Sequence, residues 1–215
     1  MKKITKILSI FGIVLSVFLT GCTSEIELEL TKDGIINVKF SGAAEQGFTE
    51  LMKSAAGITG ETTTVIFDTD EVAYEMAQNG FYNVKVNSKT GTDLFITMND
   101  TNKKSALFTS NIISVENGKL KATLSPKNLV DFYNSADEQT IQFLDMLLSP
   151  VFNDEIMTEQ DYIDTLSVFY GEQIGNEIKT SNFQITLINA DGSKITHKLP
   201  LATLLTLNQT IVLGN

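Results

Sequence analysis

The chain has few of the residues that most catalytic and metal sites use. Its 215 residues include one Cys, one His, no Trp and no Arg, so all sixteen basic side chains are Lys. One Cys and one His cannot form a Cys/His metal cage or an intrachain disulfide. Twenty-six acidic residues give a net charge of −10, and an acidic chain without Arg is a poor binder of nucleic acid.

The N-terminal segment carries the most specific pattern in the chain. Three Lys precede an apolar run from Ile7 to Leu19, which suits a signal-peptide h-region and is too short to span a bilayer. The end of the run resembles the lipobox of bacterial lipoproteins, with the residues Leu19, Thr20, Gly21 and Cys22. The resemblance implies that residues 1–21 are a cleaved signal peptide. It also implies that the Cys22 thiol carries diacylglycerol, with an acyl chain such as palmitate on the new N-terminus. The alternative is an ordinary secretory signal, or an N-terminal anchor, with an incidental Cys.

The mature chain, residues 22–215, is predicted to be a single domain held at the membrane by the lipid on Cys22. Two or three acyl chains anchor a protein stably, whereas one chain does not. Removing the three N-terminal Lys leaves 13 Lys against 26 acids, a net charge of −13, so anionic headgroups repel the domain. A strand-like pattern begins at Glu25, which leaves only Thr23 and Ser24 as a linker. We therefore expect the domain to lie close to a cell membrane or outer membrane, outside the cytoplasm.

Alternation and turn residues predict several β-hairpins. Residues 25–30 alternate Glu with aliphatic side chains, and Asp33-Gly34 leads into a partner strand at 35–40. The other predicted hairpins are 81–86 with 94–98, 112–115 with 120–124 around Asn117-Gly118, and 183–188 with 194–199 around Asp191-Gly192. Short strands are expected at 64–67, 105–109 and 210–213, and 201–207 is ambiguous between helix and strand.

Helical spacing alternates with these hairpins. The predicted helices are 43–56, 70–79 with Thr69 as N-cap, 126–133, 136–148 with Pro150 after it, and 158–170 from a capping-box pattern. Strands at both ends with helices between them favour an α+β fold, with an antiparallel sheet built from hairpins and several amphipathic helices packed on one side. The segment 136–152 also fits a helix lying on a membrane surface, but its polar face is acidic, which favours packing in the core.

Short motifs with catalytic or binding associations lack essential parts. Residues 42–49 have Walker A glycine spacing, but Phe48 stands where the phosphate-binding Lys is needed, so no nucleotide is expected. Lys89-Thr90-Gly91 matches the third motif of penicillin-binding enzymes, but the chain lacks the Ser-x-x-Lys motif that supplies their nucleophile. We therefore predict that this tripeptide is a hairpin turn. His197 falls on an apolar strand face and is expected to be a core or rim residue. Residues 68–71 lack the Gly and Glu of an EF-hand.

The remaining acids do not form a recognisable catalytic set either. Helix-dipole stabilisation accounts for the clusters at 154–155 and 159–164, although a weak oxygen-ligated divalent site stays open. No catalytic residues, metal ligands or cofactor are therefore predicted. The favoured hypothesis is a non-catalytic binding or envelope-assembly lipoprotein with an envelope protein, or a cation-bearing envelope component, as partner. The alternatives are a carrier of a lipid or other apolar ligand, and an enzyme that uses a metal or a carboxylate pair.

Overall fold

The computed structural model describes residues 23–55, 68–100, 104–134, 145, 147–153 and 155–214. Its strands are β1 (Thr23–Leu30), β2 (Ile36–Ala43), β3 (Tyr82–Asn87), β4 (Asp93–Asp100), β5 (Ile113–Glu116), β6 (Lys119–Leu124), β7 (Asn182–Ile188), β8 (Lys194–Pro200) and β9 (Ile211–Leu213). Its helices are α1 (Gln46–Ala55), α2 (Thr69–Gln78), α3 (Ala106–Thr109), α4 (Pro126–Tyr133), α5 (Glu159–Tyr170), α6 (Glu172–Thr180) and α7 (Leu201–Leu205), and residues 147–152 are also helical. The predicted α+β class is confirmed.

The main sheet has six strands in the order β3-β4-β2-β1-β7-β8. The predicted hairpins β1/β2, β3/β4 and β7/β8 are all present and antiparallel. β1 and β7 are parallel, with Thr23 opposite Asn182 and Glu29 opposite Ile188. The strands at the two ends of the described chain therefore meet in the middle of the sheet, a parallel pairing that local patterns did not indicate.

One face of the main sheet forms the core. In β1, Ile26, Leu28 and Leu30 are buried, and the three Glu that alternate with them lie on the opposite face. Helices cover the apolar face, and the fully buried Phe48 of α1 and Ile178 of α6 belong to the same hydrophobic cluster. The predicted packing of amphipathic helices on one side agrees with this arrangement, and none of the described helices packs on the other side of the sheet.

A second sheet of three strands, β5-β6-β9, contains the predicted Asn117-Gly118 hairpin. Both turn residues have positive φ, 52° and 74°, as a two-residue hairpin turn requires. The predicted strand at 210–213 is present, but it closes this smaller sheet and not the main one. Asn189, which follows β7, joins the two sheets by accepting a 2.8 Å hydrogen bond from the backbone N–H of Leu120.

Several local predictions need correction. Asp68 and not Thr69 is the N-cap of α2, because its carboxylate accepts hydrogen bonds from the N–H groups of Asp70 and Glu71. Residues 106–109 form a helical turn where a strand was predicted, since so short an apolar run does not distinguish the two. The helical residues 147–152 continue through Pro150, which was expected to follow the helix. The predicted strand 64–67 and most of the predicted helix 136–148 lie outside the described residues.

Candidate functional site

The predicted lipid-attachment residue Cys22 and its lipobox residues Leu19, Thr20 and Gly21 lie outside the described residues. The first described residue, Thr23, already belongs to β1, so the fold begins earlier than the predicted Glu25. If Cys22 carries the lipid, almost no chain separates it from the central sheet. None of the helices in the described ranges is long and apolar enough to cross a bilayer.

The segment with Walker A spacing is a strand end followed by the N-terminus of α1, and a side chain of the same chain already binds there. The carboxylate of Glu177, in α6, accepts hydrogen bonds from the N–H groups of Gly47 at 2.7 Å and Phe48 at 3.0 Å. A Cβ atom on Gly47 would lie 2.9 Å from this carboxylate, which explains the glycine. Glu177 is buried and takes the place that a phosphate would need. Burial, with the charge of Glu177 beside it, raises the pKa of Glu45.

The Lys89-Thr90-Gly91 motif is the hairpin loop between β3 and β4, as predicted. Asp93 organises it by accepting hydrogen bonds from the Ser88 hydroxyl, the Lys89 N–H and both the N–H and hydroxyl of Thr90. Burial alone raises the pKa of this carboxyl, but the hydrogen bonds outweigh it and lower the pKa to about 2. The loop is a self-contained structural unit.

The other candidates also have structural roles. His197 is half-buried on the inner face of β8, opposite Ile185, and its Nε2 makes no hydrogen bond within the described part of the chain. The prediction of a core or rim residue is confirmed. Leu147, Leu148 and Val151 are buried, which supports core packing of the segment that also fitted a membrane-surface helix. Among the described residues, no group of three or more His, Cys, Asp or Glu side chains is placed to hold a metal ion.

The side of the main sheet that faces away from the core carries mainly polar side chains, and no described helix packs on it. We call it the open face and define it by the outward side chains of six strands: Glu25, Glu27, Glu29, Asn37, Lys39, Ser41, Lys85, Asn87, Phe95, Thr97, Asn99, Gln184, Thr186, Ile188, Lys194, Thr196 and Lys198, with Asn83 at the edge. Four Lys face three Glu there, so this surface is close to neutral within a strongly acidic chain. The acids of the described helices lie on other sides.

Three Asn side chains form a continuous hydrogen-bonded row across the open face. Asn83 donates to Asn99 at 3.1 Å, Asn99 donates to Asn37 at 2.7 Å, and Asn37 donates to Glu29 at 3.0 Å. We call these three Asn the amide row. The row runs across β3, β4, β2 and β1, so each amide is held by a neighbour on the next strand. Sequence alternation placed the Glu of β1 on this face, but it did not single out the Asn.

The next row along the strands carries charge. Glu27 accepts a 2.7 Å hydrogen bond from Lys39 and lies 3.5 Å from Lys194. The hydrogen bond from Lys39 is the main reason that the pKa of Glu27 is lowered. On the far side of Thr97, Lys85 is exposed and forms no ion pair with any described residue. In this row, Glu27 of β1 therefore compensates the charge of Lys39 of β2, whereas no described acid compensates the charge of Lys85 of β3.

A β-bulge shapes the edge where these rows end. Tyr82 pairs with Asn99 and Lys85 pairs with Thr97, so two residues of β3 oppose one of β4. Asn83 occupies the bulge with φ of 53°, a left-handed conformation that Asn tolerates better than most residues. An open depression of about 480 Å³ lies at the bulge, and the amide row, Lys39, Lys85 and Thr97 line it together with residues 38, 84 and 98.

Two further surface features are more apolar. An open depression of about 400 Å³ lies between residues 156–159 and 203–211, and Ile156 at its rim is 91% exposed. Val168, Phe169 and Tyr170 form an exposed apolar end on α5. The depression also carries polar groups, among them Glu159, which accepts a 2.7 Å hydrogen bond from Thr203, but these groups do not form a row across neighbouring strands.

Comparisons with protein-family models, with curated proteins and with solved structures find no match to this chain.

Proposed function

We propose that this chain is a bacterial lipoprotein, anchored by acyl chains on Cys22, whose domain outside the cytoplasm is a non-catalytic binding module. The observation that carries the binding role is the open face: a near-neutral surface, free of described helices, whose amide row and charged row are each held by hydrogen bonds between neighbouring strands. Polar groups fixed by their neighbours lose little further freedom on binding, which favours recognition. The lipobox supports the anchor and the location.

The geometry at the tether is consistent with access to a partner. The amide row lies level with Glu29, six residues along β1 from Thr23. At about 3.4 Å per residue, the row stands no more than roughly 20 Å from the start of the fold. A binding surface at this height reaches components that lie close to the membrane. The acidic remainder of the domain is repelled by anionic headgroups, so the anchor and not surface charge holds it there.

The anchor is tested with Cys22→Ser in cells that express the full chain. The wild-type chain is expected in the membrane fraction, with incorporation of radiolabelled palmitate, and C22S is expected to lose the label and the lipid-dependent mobility on a gel. Ser retains the size of the side chain but cannot form the thioether. Equal labelling of the two chains would contradict the anchor, whatever the result for the binding role.

The binding role is tested with a photo-crosslinking amino acid in place of Thr97, on the open face. The matched control places the same group at Asp164, which is equally exposed but lies on α5. A discrete crosslinked species from Thr97 and none from Asp164 is the expected result. Equal crosslinking from both positions, or none from Thr97 and from a second open-face position at Thr196, would show that this face is not the binding surface.

A further inference from the structure

The amide row has both hydrogen-bond donors and hydrogen-bond acceptors that the bonds along the row do not use. A carboxamide offers two N–H donors and two acceptor lone pairs. The bonds along the row use one N–H of each Asn and one lone pair each on Asn99 and Asn37. A donor therefore remains on each residue, with acceptors beside it, repeated at the ~4.8 Å spacing of neighbouring strands. Hydroxyl groups match such a row because each hydroxyl both donates and accepts, whereas a carboxylate or phosphate oxygen only accepts.

The adjacent row adds a requirement for negative charge. Lys85 and Thr97 lie two residues along the strands from the amide row, a distance of about 6.8 Å. The Lys85 ammonium is exposed and has no acidic partner among the described residues, while Glu27 neutralises Lys39. A ligand that contacts both rows would place hydroxyl groups on one side and an anionic group on the other, near β3.

We infer that the depression over β2, β4 and β3 binds a negatively charged sugar unit of an envelope glycan. The hydroxyls bind along the amide row, and a carboxylate or phosphate on the sugar binds to Lys85. This inference rests on the proposed binding role of the open face and specifies the class of ligand. The depression is open to solvent among the described residues, which suits one unit of a continuing chain.

The test measures binding of defined polymers to the full lipidated chain in detergent micelles by isothermal titration calorimetry. The probes are oligogalacturonate, with carboxylates, phosphomannan, with phosphates, neutral mannan, with hydroxyls alone, and polyphosphate, with charge alone. At least one acidic glycan is expected to bind about tenfold more tightly than neutral mannan, the gain of one charge-assisted hydrogen bond. It is also expected to bind more tightly than polyphosphate, which has no hydroxyls for the amide row. Tighter binding of oligogalacturonate identifies the anionic group as a carboxylate, and tighter binding of phosphomannan identifies it as a phosphate.

Matched variants locate the site. Lys85→Gln is expected to remove most of the preference for the acidic glycan, while Lys198→Gln, which removes an exposed Lys from the same face on β8, is expected to leave it unchanged. Both substitutions are on the surface, and circular dichroism confirms that the variants are folded. Equal loss in the two variants would mean that binding is general attraction to the face, and would overturn the assignment to the depression.

The outcomes separate this inference from the proposed function. If neither acidic glycan binds more tightly than neutral mannan, but Thr97 still crosslinks a partner in cells, the ligand class is wrong and the binding role stands. If no glycan binds and no open-face position crosslinks, both are wrong. Binding of polyphosphate as tightly as the acidic glycans would also overturn the inference, because the amide row would then contribute nothing.

Discussion

Replacing Asp93 by Asn is expected to destabilise the fold by about 2 kcal/mol at neutral pH. Asp93 is 7% exposed as a whole residue, and its carboxylate accepts four hydrogen bonds from residues 88–90. Its pKa of about 2 lies below the ordinary value of 3.8, and each pKa unit corresponds to ~1.36 kcal/mol. All four hydrogen bonds reach Oδ1, so the carbonyl oxygen of Asn can still accept them, and the expected loss comes from removal of the charge.

The pH dependence of the stability difference provides a second, independent test of this prediction. Because the folded-state pKa lies below the unfolded value, the Asp93 carboxylate stabilises the fold fully well above pH 3.8, and this contribution is lost as the pH falls towards 2. The difference in unfolding free energy between the wild type and Asp93→Asn is therefore expected to fall by about half between pH 7 and pH 3. Urea titrations followed by circular dichroism at several pH values measure it.

A matched control is available in the hairpin between β7 and β8. Asp191 also accepts hydrogen bonds from a loop residue, the N–H and hydroxyl of Ser193, but it is fully exposed. Asp191→Asn is expected to cost clearly less than Asp93→Asn. Equal losses in the two variants would refute the argument, since they would show that burial of the hydrogen-bonded carboxylate contributes nothing. So would a loss at Asp93 that stays constant with pH.

Two other buried contacts yield further predictions. Glu177→Ala leaves the N–H groups at the start of α1 without their acceptor, and it is expected to lower the free energy of unfolding by about 1–3 kcal/mol in urea titrations. Glu172→Ala, on the exposed side of α6, should change this free energy little. Similar losses in the two variants would contradict the capping role of Glu177. Asn189→Ala removes the hydrogen bond between the two sheets and is expected to cost a similar amount, with faster amide hydrogen exchange at Leu120. The exposed Asn208→Ala is its control, and unchanged exchange at Leu120 would argue against the link.

The local units of the fold could be predicted from sequence because their signals are local. The Glu-aliphatic alternation of β1 and the Asn117-Gly118 turn each specify a structure within about ten residues, and both predictions are confirmed. α6 was missed, although Ile174 and Ile178 have helical spacing, because the helix is short and carries a glycine. Gly175 is needed where α6 approaches α5 closely: a Cβ there would lie 3.2 Å from the backbone oxygen of Ile163.

The candidate site depends on pairings that no local pattern contains. The amide row takes its residues from three strands, and Asn37 and Asn99 are 62 positions apart. Glu177 caps α1 through the N–H of Gly47, which lies 130 positions earlier. Whether an Asn in a strand meets another Asn or solvent depends on strand order and register, and the bulge at Asn83 changes that register by one residue. Long-range order of this kind is set by the packing of the whole core.

The central position of β1 has a mechanical consequence for a tethered protein. If the lipid is on Cys22, any force between the membrane and a bound partner enters the fold at Thr23 and pulls β1 along its own axis. β1 is in register with β2 over six residue pairs and with β7 over seven, so the ladders on both sides are loaded in shear together. A tethered edge strand would be held by one ladder only. The attachment point therefore lies on a strand that is held by hydrogen-bonded ladders on both of its sides.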